Sequence, residues 1–467
     1  MKIEQIYTGC LAQGAYFIVS NGEAAVIDPL REVEPYIQKA EKLGAKIKYV
    51  FETHFHADFV SGHIDLAEKT GAAIIYGPNA KTGFKSQIAK DEELFQLGEV
   101  TIKVLHTPGH TLESSCYLLF DKDGTPTALF SGDTLFIGDV GRPDLAQKGD
   151  LTMNDLAGML YDSLRSKIMT LPDEVIVYPA HGAGSACGKN MSKETSDRLG
   201  NQKRFNYALR ANMTKEEFIH EVTANLPEPP QYFPENVKLN REGYESIDDV
   251  LERGSRALSA VDFEKLANLT GALILDTRNA AEFAIGFIPN SINIGLDGGF
   301  APWVGALVPD LKQNLLIVTE PGKEEEVVTR LARVGYDHTI GYLDGGFQSW
   351  IKSGKEIDSV QNMVAGEFAD HLLAGQLEII DVRKPDEFNS GHVKDAQNVP
   401  LDNLNDLMSG FPKDKTLYVH CAGGYRSMIA ASILKSRGFD HIVNIEGGYG
   451  ALTKTNVAVV KGPEIGV

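Results

Sequence analysis

The sequence predicts an α/β protein: one larger α/β domain followed by two copies of a smaller α/β unit. Three observations carry this. Strand-like apolar runs alternate with helical periodicities through the first half. Six side chains of metal-ligand type (His54, His56, Asp58, His110, Asp133 and His181) each fall at a strand end or a Gly/Pro turn. The second half repeats itself. Leu275-Asp276-Thr277-Arg278 returns as Ile380-Asp381-Val382-Arg383, Glu282-Phe283 as Glu387-Phe388, Gly286 as Gly391, Asn293 as Asn398 and Leu296 as Leu401, each shifted by 105 positions.

A chain of 467 residues is too long for one core and should divide into about three domains. Its 43% hydrophobic and 23% charged residues are ordinary for a globular protein. A net charge of −19 disfavours nucleic acid as partner, because phosphate would be repelled. No apolar run approaches the roughly 18 residues of a membrane span, and the N-terminus lacks the apolar centre of a signal peptide. The four cysteines show no paired spacing, so a reducing, cytoplasmic setting is expected and a disulfide framework is not.

Taken in order, the apolar runs 14–20 and 24–27 flank Asn21-Gly22, the dipeptide that most favours a tight hairpin. Val33, Ile37, Ala40 and Leu43 recur at helical spacing, and Gly44 closes that helix. Residues 47–51 form a strand that leads into 53–63, the stretch richest in chemistry. A helix over 64–69 stops at Gly71, and a strand follows at 72–76. Strands then crowd together at 100–105, 115–120 and 128–130, with Asp121-Lys122-Asp123-Gly124 as a turn. A helix over 152–168 precedes the strand 174–178 that delivers His181, and 192–222 is helical and polar. Residues 226–234 hold four prolines and are expected to be a linker.

One histidine alone is more often a core or surface residue than a ligand; six ligand-type residues so arranged point to a metal centre. His-x-His-x-Asp at His54, His56 and Asp58, followed by His110, Asp133 and His181, resembles the metallo-β-lactamase fold superfamily over residues 1–240. The resemblance implies an αββα sandwich. Hydrolases of that superfamily hold two zinc ions and use a histidine directly after the motif's aspartate for the second. Here that position is Phe59, which cannot ligate. His54, His110 and Asp133 remain as a two-histidine, one-carboxylate set, suited to mononuclear non-haem Fe(II) and oxygen chemistry. In this the chain looks like the persulfide dioxygenases. That likeness implies one Fe(II) per chain on His54, His110 and Asp133, with His56, Asp58 and His181 orienting ligands, water or substrate behind it. It also implies a reaction, the oxidation of a small thiol persulfide by O2 to sulfite and free thiol.

Arg142, in Gly138-Asp139-Val140-Gly141-Arg142-Pro143-Asp144, is a candidate contact for a substrate carboxylate or phosphate; a loop salt bridge is the alternative. Cys187, six residues after His181, is a candidate to carry or relay a persulfide; a small buried side chain is the alternative. Cys10 and Cys116 read as structural residues in strand-like settings.

Near the other end, the strand Thr416-Leu417-Tyr418-Val419-His420 runs into Cys421-Ala422-Gly423-Gly424-Tyr425-Arg426, and a helix starts near Ser427. Backbone N–H groups and a helix N-terminus can there converge on the Cys421 sulfur, which favours a thiolate or persulfide. The Asp-x-Arg pairs, Gly391-His392 and the Cys421 to Arg426 loop resemble the rhodanese fold. The resemblance implies that Cys421 accepts and donates a sulfane sulfur. Ala422, Gly423, Gly424 and Tyr425 would form the sulfur-binding loop, and Arg426 would hold that loop or the anionic substrate. In the first copy the strand ending Val318-Thr319 leads to Glu320-Pro321-Gly322-Lys323, without cysteine and in a loop expected to be about two residues shorter. Residues 244–358 therefore read as a non-catalytic rhodanese-like domain and 359–460 as the catalytic one, with Trp303, Phe347 and Trp350 as core or interface of the former.

The whole chain looks like the persulfide dioxygenase–rhodanese fusions with two rhodanese modules. This implies conversion of a small-molecule thiol persulfide to sulfite and then, with a second persulfide, to thiosulfate, by a cytoplasmic homo-oligomer that binds neither nucleic acid nor membrane. Two alternatives stay open: a dinuclear zinc thioester hydrolase of the glyoxalase II kind fused to a sulfurtransferase, and a non-enzymatic sulfur-carrier or sensing scaffold.

Overall fold

Alternation of apolar side chains builds the first sheet strand by strand. In the computed structural model, which describes residues 1–146 and 151–462, it comprises β1 (Lys2–Thr8), β2 (Gln13–Ser20), β3 (Glu23–Ile27), β4 (Lys46–Phe51), β5 (Ala73–Tyr76) and β6 (Gln87–Ile88), side by side in that order. Asn21 and Gly22, at φ 44° and 79°, make the tight β2–β3 turn that this dipeptide favours. β1, a polar edge strand that the apolar pattern does not reveal, pairs with β2. From β3 to β6 the strands are parallel. Parallel neighbours need crossovers, supplied by α1 (Glu34–Lys42) and by the motif loop with α2 (His63–Thr70).

The second sheet holds β7 (Leu94–Leu97), β8 (Val100–His106), β9 (Ser115–Phe120), β10 (Pro126–Gly132), β11 (Ile176–Pro179) and β12 (Asp197–Arg198), again adjacent in sequence order. β9 is antiparallel to β8 and β10, and β10 is parallel to β11. The C-terminal ends of β8, β10 and β11 therefore share one edge.

Tyr16, Ile18, Ile27 and Phe51 of the first sheet pack against Val104, Tyr117, Leu119 and Phe130 of the second. The opposite face of the first sheet, with Phe17 and Val26, is covered by Tyr36 and Ala40 of α1 and Leu66 of α2. Leu118 and Leu129 of the second are covered by Ala157 and Leu160 of α3 (Met153–Ser163), and by Phe218 of the later helix Lys215–Thr223. The result is the αββα sandwich. α3 continues to Ile168 as a π-helical turn, so the expected helix over 152–168 is present with a changed pitch.

The expected linker over 226–234 forms no helix or strand as far as 232, but it lies inside the first unit and its end is packed. Tyr232 and Phe233 are buried, and Pro234 sits in the first turn of the helix Phe233–Glu242, where its missing N–H costs nothing. From that helix the buried Asn240 donates to the carbonyls of His56 and Phe59, at 2.8 Å each, and accepts from the Ser61 N–H at 2.9 Å. The first compact unit accordingly runs through Ile247 and includes Leu331–Gly335.

The second unit contains both repeats. The first repeat has a parallel sheet of β13 (Ala257–Leu258), β14 (Leu273–Asp276), β15 (Ile292–Asn293), β16 (Leu315–Val318) and β17 (Thr339–Leu343), ordered β13-β17-β16-β14-β15. The second has β18 (Gln361–Val364), β19 (Glu378–Asp381), β20 (His392–Val393), β21 (Gln397–Asn398), β22 (Leu417–His420) and β23 (Ile442–Glu446), with sheet order β18-β23-β22-β19-β21. β20 pairs instead with a short strand at Val459–Val460.

The internal repeat reaches the side chains. Asp276 takes Arg278 through both oxygens, as Asp381 takes Arg383. Asn293 and Asn398 bridge the equivalent carbonyls. Arg278 lies over Phe347 and Arg383 over Tyr449, 4.1 and 3.9 Å from the ring centres. Phe347 and Trp350 are core of the first repeat. Strand register makes Thr319 the counterpart of Cys421. The first copy's loop is not the shorter one: residues 319–323 lie between strand and helix there, against 421–424 in the second copy.

Asn240→Ala removes three hydrogen bonds from the motif loop and should cost about 1–3 kcal/mol. The check is urea unfolding of the metal-binding unit, in which the variant should have a lower midpoint.

Candidate metal centre and thiol site

Four strand ends bring the donors together. β4 leads to Thr53 and His54, β8 to His110, β10 to Asp133 and β11 to His181. The Ser115 N–H bonds the Thr53 carbonyl at 2.9 Å and ties the two sheets at this edge. His110 keeps Nδ1 on the Arg142 carbonyl at 2.8 Å, leaving Nε2 free, 3.4 Å from Asp133 Oδ2. Gly141 permits that approach, since a Cβ there would stand 2.0 Å from the Asp133 carbonyl oxygen. His54 Nδ1 meets the Thr53 hydroxyl at 3.0 Å, and its Nε2 is 3.9 Å from Asp133 Oδ2. Asp133 is buried, and neither carboxylate oxygen has a hydrogen-bond partner.

These nitrogen–oxygen separations are mostly too long for hydrogen bonds. They suit the edges of a coordination shell, since ligands about 2.1 Å from a tetrahedral ion lie about 3.4 Å apart. Burial, then the neighbouring rings of His56, His110 and His181, holds the His54 imidazole well below its usual range, so it is neutral and able to ligate. The residues present therefore fit a metal ion.

His56, Asp58 and His181 are equally buried and also converge. His181 Nε2 is 3.5 Å from both Asp58 Oδ2 and Asp133 Oδ1. The Phe59 ring, fully buried, lies against His56 with centres 4.4 Å apart. Cys187 joins them: its sulfur and one donor atom each of Asp133 and His181 lie within 4.8 Å of one another. Burial, then the carboxylates of Asp58 and Asp133, pushes the Cys187 thiol well up. Arg142 points elsewhere. Its guanidinium grips Asp144 through two bonds of 2.7 and 2.6 Å and the carbonyls of Ala186 and Pro227, which is the loop salt bridge. Cys116 is buried in β9, whereas Cys10 is half-buried in the turn before β2 rather than in a strand.

Behind these donors lie residues that the motif does not name. Asp28, at φ 49°, accepts from the Thr53 N–H and hydroxyl at 2.8 Å each and sits 3.1 Å from His56 Nε2. Glu52 is 3.7 Å from the same nitrogen. Burial opposes a charged ring at His56, but Asp28 and Glu52 outweigh it and push the ring up to about 9. Burial beside Asp28 raises the Glu52 carboxyl well above the usual range. The sequence signals were slight: an aspartate closing an apolar strand, and a glutamate directly before the motif.

In the second repeat Cys421 is buried beneath an exposed Ala422-Gly423 rim. Its Sγ accepts the Gly424 N–H at 3.1 Å, where the helix Tyr425–Ser436 begins. The Tyr449 and Gly450 N–H groups hold the carbonyls of Cys421 and Ala422. Arg426 forms two bonds to Glu387, at 2.6 and 2.7 Å.

The metallo-beta-lactamase superfamily profile matches residues 8–181, and the rhodanese-like domain profile matches 259–353 and 364–455. A solved metallo-beta-lactamase from Staphylococcus aureus is 31% identical, covering 73% of this chain and 98% of that one, with a TM-score of 0.64. The chain belongs to the metallo-beta-lactamase superfamily. Two rhodanese-like domains follow its metallo-beta-lactamase domain. Among curated relatives, the probable hydroxyacylglutathione hydrolase glo2 of Schizosaccharomyces pombe is 34% identical over 160 residues, which is 34% of this chain and 58% of the relative. The chain thus spans less than two thirds of that relative's length. The structure of ETHE1 from Myxococcus xanthus is 31% identical over 52% of this chain and 99% of that one; its TM-score of 0.44 is too low to bear on the site.

The buried groups of the metallo-beta-lactamase domain make a signed prediction. A histidine raised above its unfolded value of about 6.5 stabilises the fold below that value and loses the effect as pH rises through about 9. Raised carboxyls at Glu52 and Asp58 act in the same direction. Metal-free protein should therefore melt at a lower temperature at pH 9 than at pH 6.5, and Asp28→Asn should flatten the dependence.

Proposed function

We propose that the chain oxidises a small thiol persulfide with O2 to sulfite at one Fe(II) per chain, and that Cys421 then transfers sulfane sulfur to sulfite to give thiosulfate. The observation that carries this is the intact donor set of His54, His110 and Asp133 beside a buried Phe59, on the same chain as a cysteine loop of rhodanese geometry. Iron(II) held by that set would supply the one-electron chemistry that ground-state dioxygen needs to react with sulfur. The overall step balances as R–S–S⁻ + O2 + H2O giving R–SH, SO3²⁻ and H⁺.

The chain's own groups have definite tasks. The Arg142 carbonyl fixes the His110 tautomer, and the Thr53 hydroxyl orients His54. His181 Nε2 and Asp58, 3.5 Å apart, are placed to take the proton released as water adds at sulfur. At the second site the Cys421 sulfur attacks the outer sulfur of another persulfide, and R–S⁻ leaves. Sulfite then attacks that outer sulfur, the S–S bond to Cys421 breaks, and thiosulfate departs. The Gly424 N–H stabilises the sulfur through both steps. Arg426, occupied by Glu387, holds the loop. Cys187, close to Asp133 and His181, would carry the outer sulfur before oxidation: its sulfur takes that atom from R–S–S⁻ while its thiol proton leaves with the thiol as R–SH.

A second reading is a dinuclear zinc thioester hydrolase. Two observations favour it: the curated relative named for hydroxyacylglutathione hydrolysis, and the converging trio of His56, Asp58 and His181. The Phe59 ring, standing where the second ion's histidine would be, weighs against it.

Iron-loaded protein should consume O2 with glutathione persulfide and leave a hydroxyacyl-glutathione thioester intact; thioester turnover by the zinc form without O2 uptake would reverse the assignment. Cys421→Ser should keep wild-type O2 uptake while thiosulfate falls to background and the unconverted sulfite accumulates above the wild-type level. Unchanged thiosulfate would remove Cys421 from the reaction.

A further inference from the structure

The loop that carries Cys421 is anchored outside its own repeat. Tyr425, the first residue of the helix after the loop, donates its hydroxyl to the Gly295 carbonyl of the cysteine-free repeat at 2.8 Å. Its ring lies so close to Gly298 that a Cβ there would stand 2.2 Å from ring Cζ and 2.7 Å from the hydroxyl oxygen. The turn that receives the ring is braced within its own repeat, because Arg330 donates to the Leu296 carbonyl at 2.8 Å. The same helix is held twice more along its length. The Asn293 N–H donates to the Ser432 hydroxyl at 2.9 Å, and Lys435 pairs with Asp358 at 3.0 Å.

This anchoring bears on the sulfur through one residue. The N–H that reaches Cys421 Sγ belongs to Gly424, which precedes Tyr425 and has φ of 111°. Glycine alone has no preference for that geometry over many others. Fixing the next residue by its ring and hydroxyl selects the orientation that aims the Gly424 N–H at sulfur. The cysteine-free repeat also lacks the means to act for itself. Thr319 occupies the position of Cys421, and the carboxylate of Glu324 takes up the Gly322 N–H in its loop.

We infer that the cysteine-free rhodanese-like repeat is a positioning element for Cys421, acting through the seat that Gly295 and Gly298 provide for Tyr425. Gly298 and Tyr425 are then positioning residues, neither touching the transferred sulfur. This rests on the sulfur-transfer reading of Cys421, but the orientation of the sulfur's hydrogen-bond donor can be read without it.

The test uses the full chain. Gly298→Ala, 123 positions from Cys421, displaces the Tyr425 ring without substituting any residue of the cysteine loop. Two rates are measured: sulfur transfer from glutathione persulfide to sulfite, and alkylation of Cys421 by iodoacetamide, followed by mass spectrometry. The expected result is that transfer kcat and the alkylation rate both fall about tenfold, the worth of one ordinary hydrogen bond, with KM little changed and O2 uptake at the metal site unaffected. Tyr425→Phe keeps the ring and loses the hydroxyl bond, and should fall partway. Simple loosening of the fold would instead speed alkylation, which would overturn the inference, as would a folded Gly298→Ala protein with wild-type values for both rates. If Gly298→Ala does not fold, Tyr425→Phe decides on the same two readings. Slowed alkylation in a protein whose wild type transfers no sulfur would uphold the positioning and reject the sulfur-transfer reading.

Discussion

Asp133 sets the terms for the metal-binding half. Its two oxygens are buried, lack hydrogen-bond donors and face three imidazole nitrogens at 3.4 to 3.9 Å. An isolated buried carboxylate costs far more than any single packing contact returns. The structure accepts that cost where four strand ends from two sheets meet, and surrounds the carboxylate with imidazole nitrogens. A cation held by those donors would satisfy Asp133. The anchoring of His54 by Thr53, His110 by Arg142 and His56 by Asp28 keeps the donors aimed at it.

The same logic runs one layer further out. Asp28 holds a left-handed backbone conformation that non-glycine residues seldom adopt, and Thr53 fixes its carboxylate with two hydrogen bonds. Asn240, from a helix about 180 positions along the chain, satisfies the carbonyls of His56 and Phe59. The motif loop thus depends on residues that are not ligands. In the second unit the relation is similar. Cys421 receives one oriented N–H, and the residue after its donor is seated on the cysteine-free repeat.

Much of this was legible in the sequence, for physical reasons. Asn21-Gly22 announced its hairpin because asparagine tolerates positive φ and glycine has no Cβ to oppose it, and the ligand types stood out because they interrupt apolar strands. The repeat, visible as Asp-x-Arg at 276 and 381, extends to the salt bridges and to the ring beneath each arginine. What the sequence hid was long-range or context-dependent. Nothing local marks Asn240 as a brace for the metal loop. Four prolines over 226–234 suggested a linker, yet Pro234 opens a helix and Tyr232 and Phe233 are buried. Arg142 on its glycine-rich loop suits a substrate contact or a loop salt bridge, and only the fold shows Asp144 and two carbonyls taking its donors. Phe59 was legible as a missing ligand, but its packing on His56 was not.

The account turns on one ion rather than two. The most direct measurement is the metal content of the full chain purified without air, by elemental analysis against protein concentration. The account predicts one iron per chain, with zinc well below one. Two zinc ions per chain, lost together when His181 is replaced by alanine, would contradict it and restore the dinuclear hydrolase.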